Sequence, residues 1–247
     1  MSGFSYIESN LSGVKQEIHS HCLKIGRNPD EISLIAVSKT FPPEAVSAAF
    51  STGHIDFGEN KVQELCNKHE ALSGIEYEKL HWHLIGHLQT NKVKYIVPFV
   101  YMVHSLDSVH LAEKIHTEAA KTGRIINCLV QVNTSGEDQK SGIAAEETEM
   151  LIGLVSKMEN IRILGLMTIG KFIDDYSDVS QREIVRGNFR VLKSLYDKIA
   201  SAYIPNVEMK YLSMGMTSDY DIALEEGSNM LRIGTAIFGE RKKIEIN

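Results

Sequence analysis

Cysteine is scarce in this chain of 247 residues, which contains three, Cys22, Cys66 and Cys128. They are far apart and odd in number, so they suggest neither a disulfide framework nor the paired spacing of a zinc knuckle. Such sparse cysteine is typical of a protein kept in a reducing compartment. We therefore expect a cytoplasmic protein.

Long apolar runs and blocks of basic residues are missing as well. No run approaches the roughly 20 residues of a membrane span, and residues 1–4 have neither the basic nor the apolar part of a signal peptide. Twenty-six Lys and Arg face 32 Asp and Glu, a net charge of −6. Without a basic patch we expect no nucleic-acid partner, and without a span we expect no membrane contact.

The sequence does contain a regular alternation of apolar runs and amphipathic segments. A leading helix comes first, with apolar residues at steps of three and four, and it ends at residues 26–29. The predicted strands that follow are 32–38, 55–60, 81–86, 100–106, 127–133, 163–168, 210–214 and 230–234. The predicted helices after them are 43–51, 61–72, 91–97, 108–121, 144–158, 180–203, 218–226 and 235–239.

Eight strand–helix units favour a single α/β domain, a (β/α)₈ barrel of the TIM type with an additional N-terminal helix. We predict one domain over residues 1–247, with the leading helix in 1–29, the barrel in 30–240 and a C-terminal tail in 241–247. A doubly wound open sheet is the alternative. The G-x-G-x-x-G fingerprint of the dinucleotide-binding version is absent after the first strand.

Lys39 is the most informative residue, because it directly follows an almost wholly apolar predicted strand. Lysine is rarely buried without a partner or a task. Desolvation lowers the pKa of an amine and makes it a nucleophile that forms Schiff bases with aldehydes. The alternative is a strand-end lysine whose ammonium group reaches solvent.

Two loops that combine glycine with hydroxyl side chains follow the seventh and eighth predicted strands, where barrels often bind phosphate. Gly215 and Gly234 would let the backbone approach a ligand closely. Ordinary turn glycines with capping hydroxyls are the alternative for either loop alone. The candidate phosphate-binding residues are Ser213, Gly215, Met216, Thr217, Gly234 and Thr235.

A phosphate site opposite an activated lysine fits pyridoxal phosphate, and it also fits a Schiff-base aldolase acting on phosphorylated sugars. Arg232 lies two residues before Gly234 and is predicted to face the barrel interior. An arginine stays protonated, so beside a pyridine nitrogen it would keep that nitrogen unprotonated, which favours pyridoxal phosphate with little carbanion chemistry. The alternative is a structural arginine paired with a carboxylate such as Glu59.

Two further features of the sequence could supply ligands. Asn60 ends the second predicted strand, where its amide could contact a cofactor or position Lys39, or could equally cap the next helix. His81 and His83 share one face of the third strand, a spacing found in some metal sites. No further ligand completes that set, so no metal is predicted. No G-x-S-x-G nucleophile motif occurs.

Several motifs in this order resemble the pyridoxal phosphate homeostasis proteins, also called the YggS or proline synthase co-transcribed type. The resemblance runs from the first strand nearly to the C-terminus. The motifs are AVSKT (36–40), FGENKVQE (57–64), WHLIGHLQTNK (82–92), VHSLDS (103–108), QVNTSGEDQKSG (131–142), GLMTIG (165–170), LSMGMTSDY (212–220) and LRIGTAIFGE (231–240).

This resemblance implies a barrel similar to the N-terminal domain of alanine racemase, with pyridoxal 5′-phosphate held as a Schiff base on Lys39. It implies that Arg232 lies near the pyridine nitrogen, that Asn60 lies beside the cofactor, and that the loops of 213–217 and 234–235 hold the phosphate. The family commonly has serine at the position of Thr217. Threonine keeps the hydroxyl, so phosphate binding is still expected.

The resemblance further implies a protein without catalytic residues that buffers pyridoxal phosphate and contacts pyridoxal-phosphate-dependent apo-enzymes transiently. The rival is an amino-acid racemase of the alanine racemase type. That reaction needs a second acid/base group opposite the lysine, which alanine racemase takes from a second domain of a partner subunit. The chain ends soon after its last motif, so we expect a monomer without that domain. A Tyr or His inside the barrel could substitute for the missing acid/base group of the racemase. The third alternative, the phosphosugar aldolase, lacks an evident second lysine for acid/base chemistry.

Overall fold

The structure is a computed structural model that describes residues 3–137 and 141–240. Its strands are β1 (Ser33–Val37), β2 (Asp56–Glu59), β3 (His81–Leu84), β4 (Met102–Leu106), β5 (Ile126–Asn133), β6 (Ile143–Ala144), β7 (Ile161–Met167), β8 (Val207–Ser213) and β9 (Met230–Ile233). Its helices are α1 (Tyr6–Lys24), α2 (Pro43–Phe50), α3 (Val62–Ala71), α4 (Val93–Ile96), α5 (Val109–Lys121), α6 (Thr148–Val155), α7 (Val179–Ala200), α8 (Tyr220–Glu225) and α9 (Thr235–Phe238).

Eight of the strands close into a parallel barrel, as predicted. The order around it is β4-β3-β2-β1-β9-β8-β7-β5, and β4 pairs with β5 to close the ring. β8 and β9 are therefore the seventh and eighth barrel strands. The two-residue strand β6 extends β5 in parallel, with Val132 opposite Ile143. The sequence did not predict β6, because two residues are too few to show a period.

Most predicted elements have their expected places, with shifted ends. Ser108 caps α5, accepting a hydrogen bond from Leu111 N at 3.3 Å. β1 ends one residue earlier than predicted, at Val37, because the chain turns at Lys39 and Thr40. β8 begins three residues early, at Val207, where its side chains are partly exposed and include polar ones that conceal the strand pattern.

The leading helix α1 has a role that its position in the sequence does not indicate. α9 has only four residues, and α1 packs against it and against α2 and α8. Tyr6 Oη donates to Phe238 O at 2.8 Å and Asn10 Nδ2 to Ile237 O at 3.0 Å. α1 thus supplies the helical cover that α9 is too short to provide. Its buried stripe is Ile7, Leu11, Val14, Ile18 and Cys22.

Alternation along the strands divides the core into two layers. Leu34 and Ala36 belong to the large cluster between strands and helices, whereas Ile35 belongs to a second, smaller one. That inner cluster consists of Ile35, Met102, Leu129, Leu164, Met167 and Met230. Because apolar side chains fill only part of the barrel, polar groups enter its interior at both ends.

Within the described part of the chain, no helix is both long and apolar enough to cross a membrane. The tail predicted for residues 241–247 lies outside the described residues, as do residues 1–2 of the leading segment.

Candidate functional site

A cavity of about 490 Å³ opens where the barrel strands end at their carboxyl termini. Of the residues proposed from sequence, those that line it are Lys39, Asn60, Met216, Thr217, Arg232, Gly234 and Thr235. Ser213 and Gly215 lie behind its wall and are buried. The barrel therefore brings residues from opposite ends of the chain to one site, because parallel strands all end at the same rim.

Lys39 occupies a tight turn directly after β1. Phe41 N donates to Ser38 O at 3.0 Å, so Lys39 and Thr40 are the central residues of the turn. The Lys39 side chain is half-buried and lines the cavity. Thr40 has a backbone φ of 71°, a left-handed conformation that is rare for a β-branched residue.

Arg232 enters the barrel interior from β9, in register with Ile35 of β1. Its side chain is buried, and it donates to Ser213 Oγ at 2.6 Å and to Thr168 O at 2.8 Å. Burial lowers the pKa of Arg232 to about 10, partly opposed by the charge of Asp219. The guanidinium group therefore remains protonated at neutral pH.

Glu59, considered from sequence as a partner of Arg232, lies in a different cluster. Its Oε1 accepts from Lys68 Nζ and from Ser38 Oγ, both at 2.6 Å. The alternative of an Arg232–Glu59 pair is therefore wrong, because the Glu59 carboxylate is instead bound to Lys68 of α3, whose role the sequence did not indicate.

The loop after β8 makes a sharp turn at Gly215, where φ is 96°. A Cβ atom there would lie 2.6 Å from Ala223 Cβ, so both the conformation and the space require glycine. Asp219 Oδ1 accepts from Met216 N at 2.6 Å and closes the loop. Burial raises the pKa of Asp219. Sequence reasoning missed Asp219, although an aspartate at a helix start was an available signal.

Asn60 and Gly86 meet where β2 and β3 end. A Cβ on Gly86 would lie 2.3 Å from Asn60 O, so this glycine permits the close approach of the two loops. Helix α3 begins at Val62 with Lys61 in the N-cap position and no side-chain cap. The helix-cap alternative for Asn60 is therefore wrong, and its side chain lines the cavity.

The outer wall of the cavity comes from loops whose sequence did not indicate a role in the site. Ile169, Phe172 and Tyr176 line it from the segment after β7, and Phe172 is 75% exposed. An aromatic residue within a polar stretch was the available signal. His87 lines the rim, with its Nδ1 3.8 Å from Asp107 Oδ2.

The histidines considered as metal ligands lie at the opposite, amino-terminal end of the barrel. His81 Nδ1 and His83 Nε2 contact Asp56 Oδ1 at 3.0 and 3.1 Å, and His83 Nδ1 contacts His104 Nε2 at 2.9 Å. Burial alone would raise the pKa of Asp56, but the hydrogen bonds from the histidines outweigh it and hold that pKa below its usual range. The described residues contain no group of three or more His, Cys, Asp or Glu suited to a metal.

The fold and the site together define a class of protein, an eight-stranded parallel barrel in which a lysine and an arginine face one cavity. The family model of the alanine racemase N-terminal domain matches residues 17–242. That span includes every barrel strand and the whole cavity lining.

Individual relatives show which group within this family the chain is similar to, in sequence and in fold. A protein of Aquifex aeolicus (strain VF5), named pyridoxal phosphate homeostasis protein, is 40% identical over 232 residues, which are 94% of this chain and 97% of the relative. The crystal structure of an unknown protein from Bifidobacterium adolescentis has a TM-score of 0.87 at 32% identity, covering 96% of this chain and 97% of that one. PipY of Synechococcus elongatus PCC7942, solved with PLP bound, has a TM-score of 0.76 at 29% identity, covering 94% and 100%. The chain belongs to the alanine racemase N-terminal-domain family, among the pyridoxal phosphate homeostasis proteins.

Proposed function

We propose that this protein binds pyridoxal 5′-phosphate reversibly through Lys39 and takes part in the homeostasis of that cofactor inside the cell. The observation that carries the proposal is that Lys39, Arg232 and the two glycine–hydroxyl loops line a single cavity. The name of the Aquifex relative and the PLP-bound PipY structure support the choice of cofactor.

The residues present suit this group. When bound, pyridoxal phosphate supplies an aldehyde that condenses reversibly with an amine, together with a phosphate anion. Lys39 provides the amine, and Arg232 provides a protonated donor that keeps a facing ring nitrogen unprotonated. Asn60 also lies on the cavity wall and would orient the ring through its amide.

The phosphate is bound by the two loops at the rim. Thr217 and Thr235 offer hydroxyls, and Gly234 allows close approach of the backbone. Met216 N already donates to Asp219 Oδ1, so the remaining donors of this loop are the amides and hydroxyls that follow it. Asp219 thereby fixes the shape of the loop without contacting the anion.

Lys39 acts in this proposal as a reversible tether for storage and delivery, and no residue is assigned a catalytic role. Another amine would be able to displace the lysine and so pass the cofactor to apo-enzymes in transient encounters. We further propose a cytoplasmic monomer. Light scattering at several protein concentrations tests the oligomeric state, and a stable dimer would contradict it.

The test of the site is chemical labelling. The protein mixed with pyridoxal phosphate should turn yellow, and borohydride reduction followed by peptide mass spectrometry should find a phosphopyridoxyl group on Lys39. Lys39→Ala should lose the label, whereas Lys61→Ala, an exposed lysine at the start of α3, should keep it. A colourless mixture or a label on another lysine would overturn the proposal.

A racemase is the second candidate, because His87 and Tyr176 line the cavity and are groups able to carry a proton opposite the lysine. Deuterium exchange at the α-carbon of a panel of amino acids distinguishes the two functions. Turnover on the order of 1 s⁻¹ or faster would overturn the carrier role, and Tyr176→Phe and His87→Gln would then identify the acid/base group.

A further inference from the structure

The turn that presents Lys39 is conformationally strained. Thr40 has a φ of 71°, which glycine adopts readily and a β-branched residue does not. Such a conformation persists only where the surrounding structure holds it. The groups that hold Thr40 therefore also determine the direction in which its neighbour Lys39 leaves the backbone.

Three side chains, Glu59, Glu64 and Lys68, bind this turn at Ser38 and at Thr40. Thr40 N donates to Glu64 Oε1 at 2.5 Å. Lys68 Nζ donates to Ser38 O at 2.8 Å, to Glu64 Oε1 at 2.8 Å and to Glu59 Oε1 at 2.6 Å. Ser38 Oγ completes the cluster by donating to Glu59 Oε1 at 2.6 Å.

Two members of this cluster of Glu59, Glu64 and Lys68 are unusually buried for charged groups, and Glu64 is partly exposed. Lys68 is 3% exposed and Glu59 is fully buried. Removing two charges from water often costs more free energy than their mutual attraction recovers. Well-packed apolar side chains in the same place often stabilise a protein equally well. Packing alone therefore does not explain why charged residues occupy this position. Their hydrogen bonds to the main chain of Ser38 and Thr40 indicate a specific role, which is to hold the turn.

We propose that Glu59, Glu64 and Lys68 are positioning residues, which hold the Ser38–Phe41 turn in its strained conformation and thereby direct the Lys39 amine into the cavity. The inference rests on the proposed function of Lys39 only where it concerns the cofactor. Glu64 acts on the strained residue itself. Lys68 acts by donating to Glu64 and to the carbonyl of Ser38, and Glu59 acts by accepting from Lys68 and from the Ser38 hydroxyl.

The experiment compares Glu64→Ala with Glu64→Gln, which keeps a carbonyl acceptor for Thr40 N. In the protein without added cofactor, NMR measures hydrogen exchange at the Thr40 amide. With pyridoxal phosphate added, borohydride trapping measures the initial rate at which Lys39 is labelled. Glu64→Ala should speed the exchange and slow the labelling, each by about tenfold, as expected for the loss of a hydrogen bond to a charged group. Glu64→Gln should restore much of both.

A second substitution separates positioning from general damage. Thr40→Gly should by itself leave labelling unchanged, because glycine takes a positive φ without support. Combined with Glu64→Ala, it should recover most of the lost labelling rate. Lys193 and Asp197 form an ion pair with the same four-residue spacing on the exposed surface of α7, so Asp197→Ala is the surface control and should alter neither readout.

Several results would overturn the inference. The first is rapid hydrogen exchange at the Thr40 amide of the unaltered protein. The second is a Glu64→Ala variant whose hydrogen exchange and labelling rate are both unchanged. The third is a double variant, Thr40→Gly with Glu64→Ala, in which Lys39 is still labelled slowly although the variant unfolds at the same urea concentration as the unaltered protein. The unaltered protein and Thr40→Gly decide the matter even if Glu64→Ala fails to fold. Labelling of a different lysine would contradict the proposed function instead, while the exchange measurement would still test the turn.

Discussion

Arg232 Nη1 donates to Ser213 Oγ at 2.6 Å, and both side chains are buried between the last two barrel strands. Ser213 was expected from sequence to contact the phosphate. In the structure its hydroxyl lies behind the cavity wall and orients the guanidinium group of Arg232, which lines the cavity. Ser213→Ala should leave a buried N–H without a partner and lower the free energy of unfolding by about 1–3 kcal/mol, measured by urea denaturation.

The same variant also tests the phosphate loops. Ser213→Ala should bind inorganic phosphate more tightly than Thr217→Val does, with an affinity closer to that of the unaltered protein. The reason is that Thr217 lines the cavity and Ser213 does not. Titration calorimetry provides the measurement. Weaker phosphate binding in Ser213→Ala than in Thr217→Val would instead make Ser213 a direct ligand.

Gly215 should not tolerate a side chain. Gly215→Ala places a Cβ 2.6 Å from Ala223 Cβ at a φ of 96°, so overpacking and backbone strain together should cost about 2–4 kcal/mol of unfolding free energy. Gly187→Ala is the matched control, since no atom lies within 4 Å of its added Cβ. In the interior of α7 that change should stabilise by about 0.5–1 kcal/mol. Equal effects at the two glycines would refute the role of Gly215.

Asn188 connects the two loops that wall the cavity. Its Nδ2 donates to Thr134 O and its Oδ1 accepts from Lys171 N, each at 3.0 Å. Asn188→Ala removes both bonds and should increase amide hydrogen exchange in residues 134–137 and 169–176 together. Asn67→Ala, an exposed change on α3, should not. Faster exchange in only one loop would show that Asn188 does not couple them.

His54 should make the fold sensitive to acid. Burial, and then the nearby charge of Lys15, lower the pKa of His54 to about 4. Because this folded value lies below the 6.5 of an unfolded histidine, the associated stability is complete above pH 6.5 and is lost as the pH falls towards 4. His83 and His104, whose pKa values are also lowered by burial, act in the same direction.

The shift at His54 corresponds to about 3 kcal/mol of unfolding free energy. His54→Gln should therefore reduce the loss of stability between about pH 7 and about pH 4.5, measured by urea denaturation at each pH. His110→Gln, an exposed change on α5, is the control and should follow the unaltered protein. An identical acid dependence in His54→Gln would contradict the assignment.

Local sequence patterns were sufficient for the barrel and for much of its site. Apolar runs separated by helical periods predicted eight strands, and closure of the barrel then placed Lys39 and Arg232 at one rim. This works because buried parallel strands are marked by short apolar runs, and because all of them end on the same side. The family was recognised from its motifs, and the comparisons confirm that assignment.

Tertiary structure alone decided the features that depend on distant segments or on backbone conformation. The sequence did not indicate that α1 would pack against α9. Nor did it indicate that Glu59 would pair with Lys68 and not with Arg232. Both contacts depend on which elements become neighbours in the fold. The positive φ of Thr40 is likewise invisible in a sequence, because threonine normally avoids it. The sequence by itself determined that a lysine follows the first strand; only packing determined how the turn that contains this lysine is held.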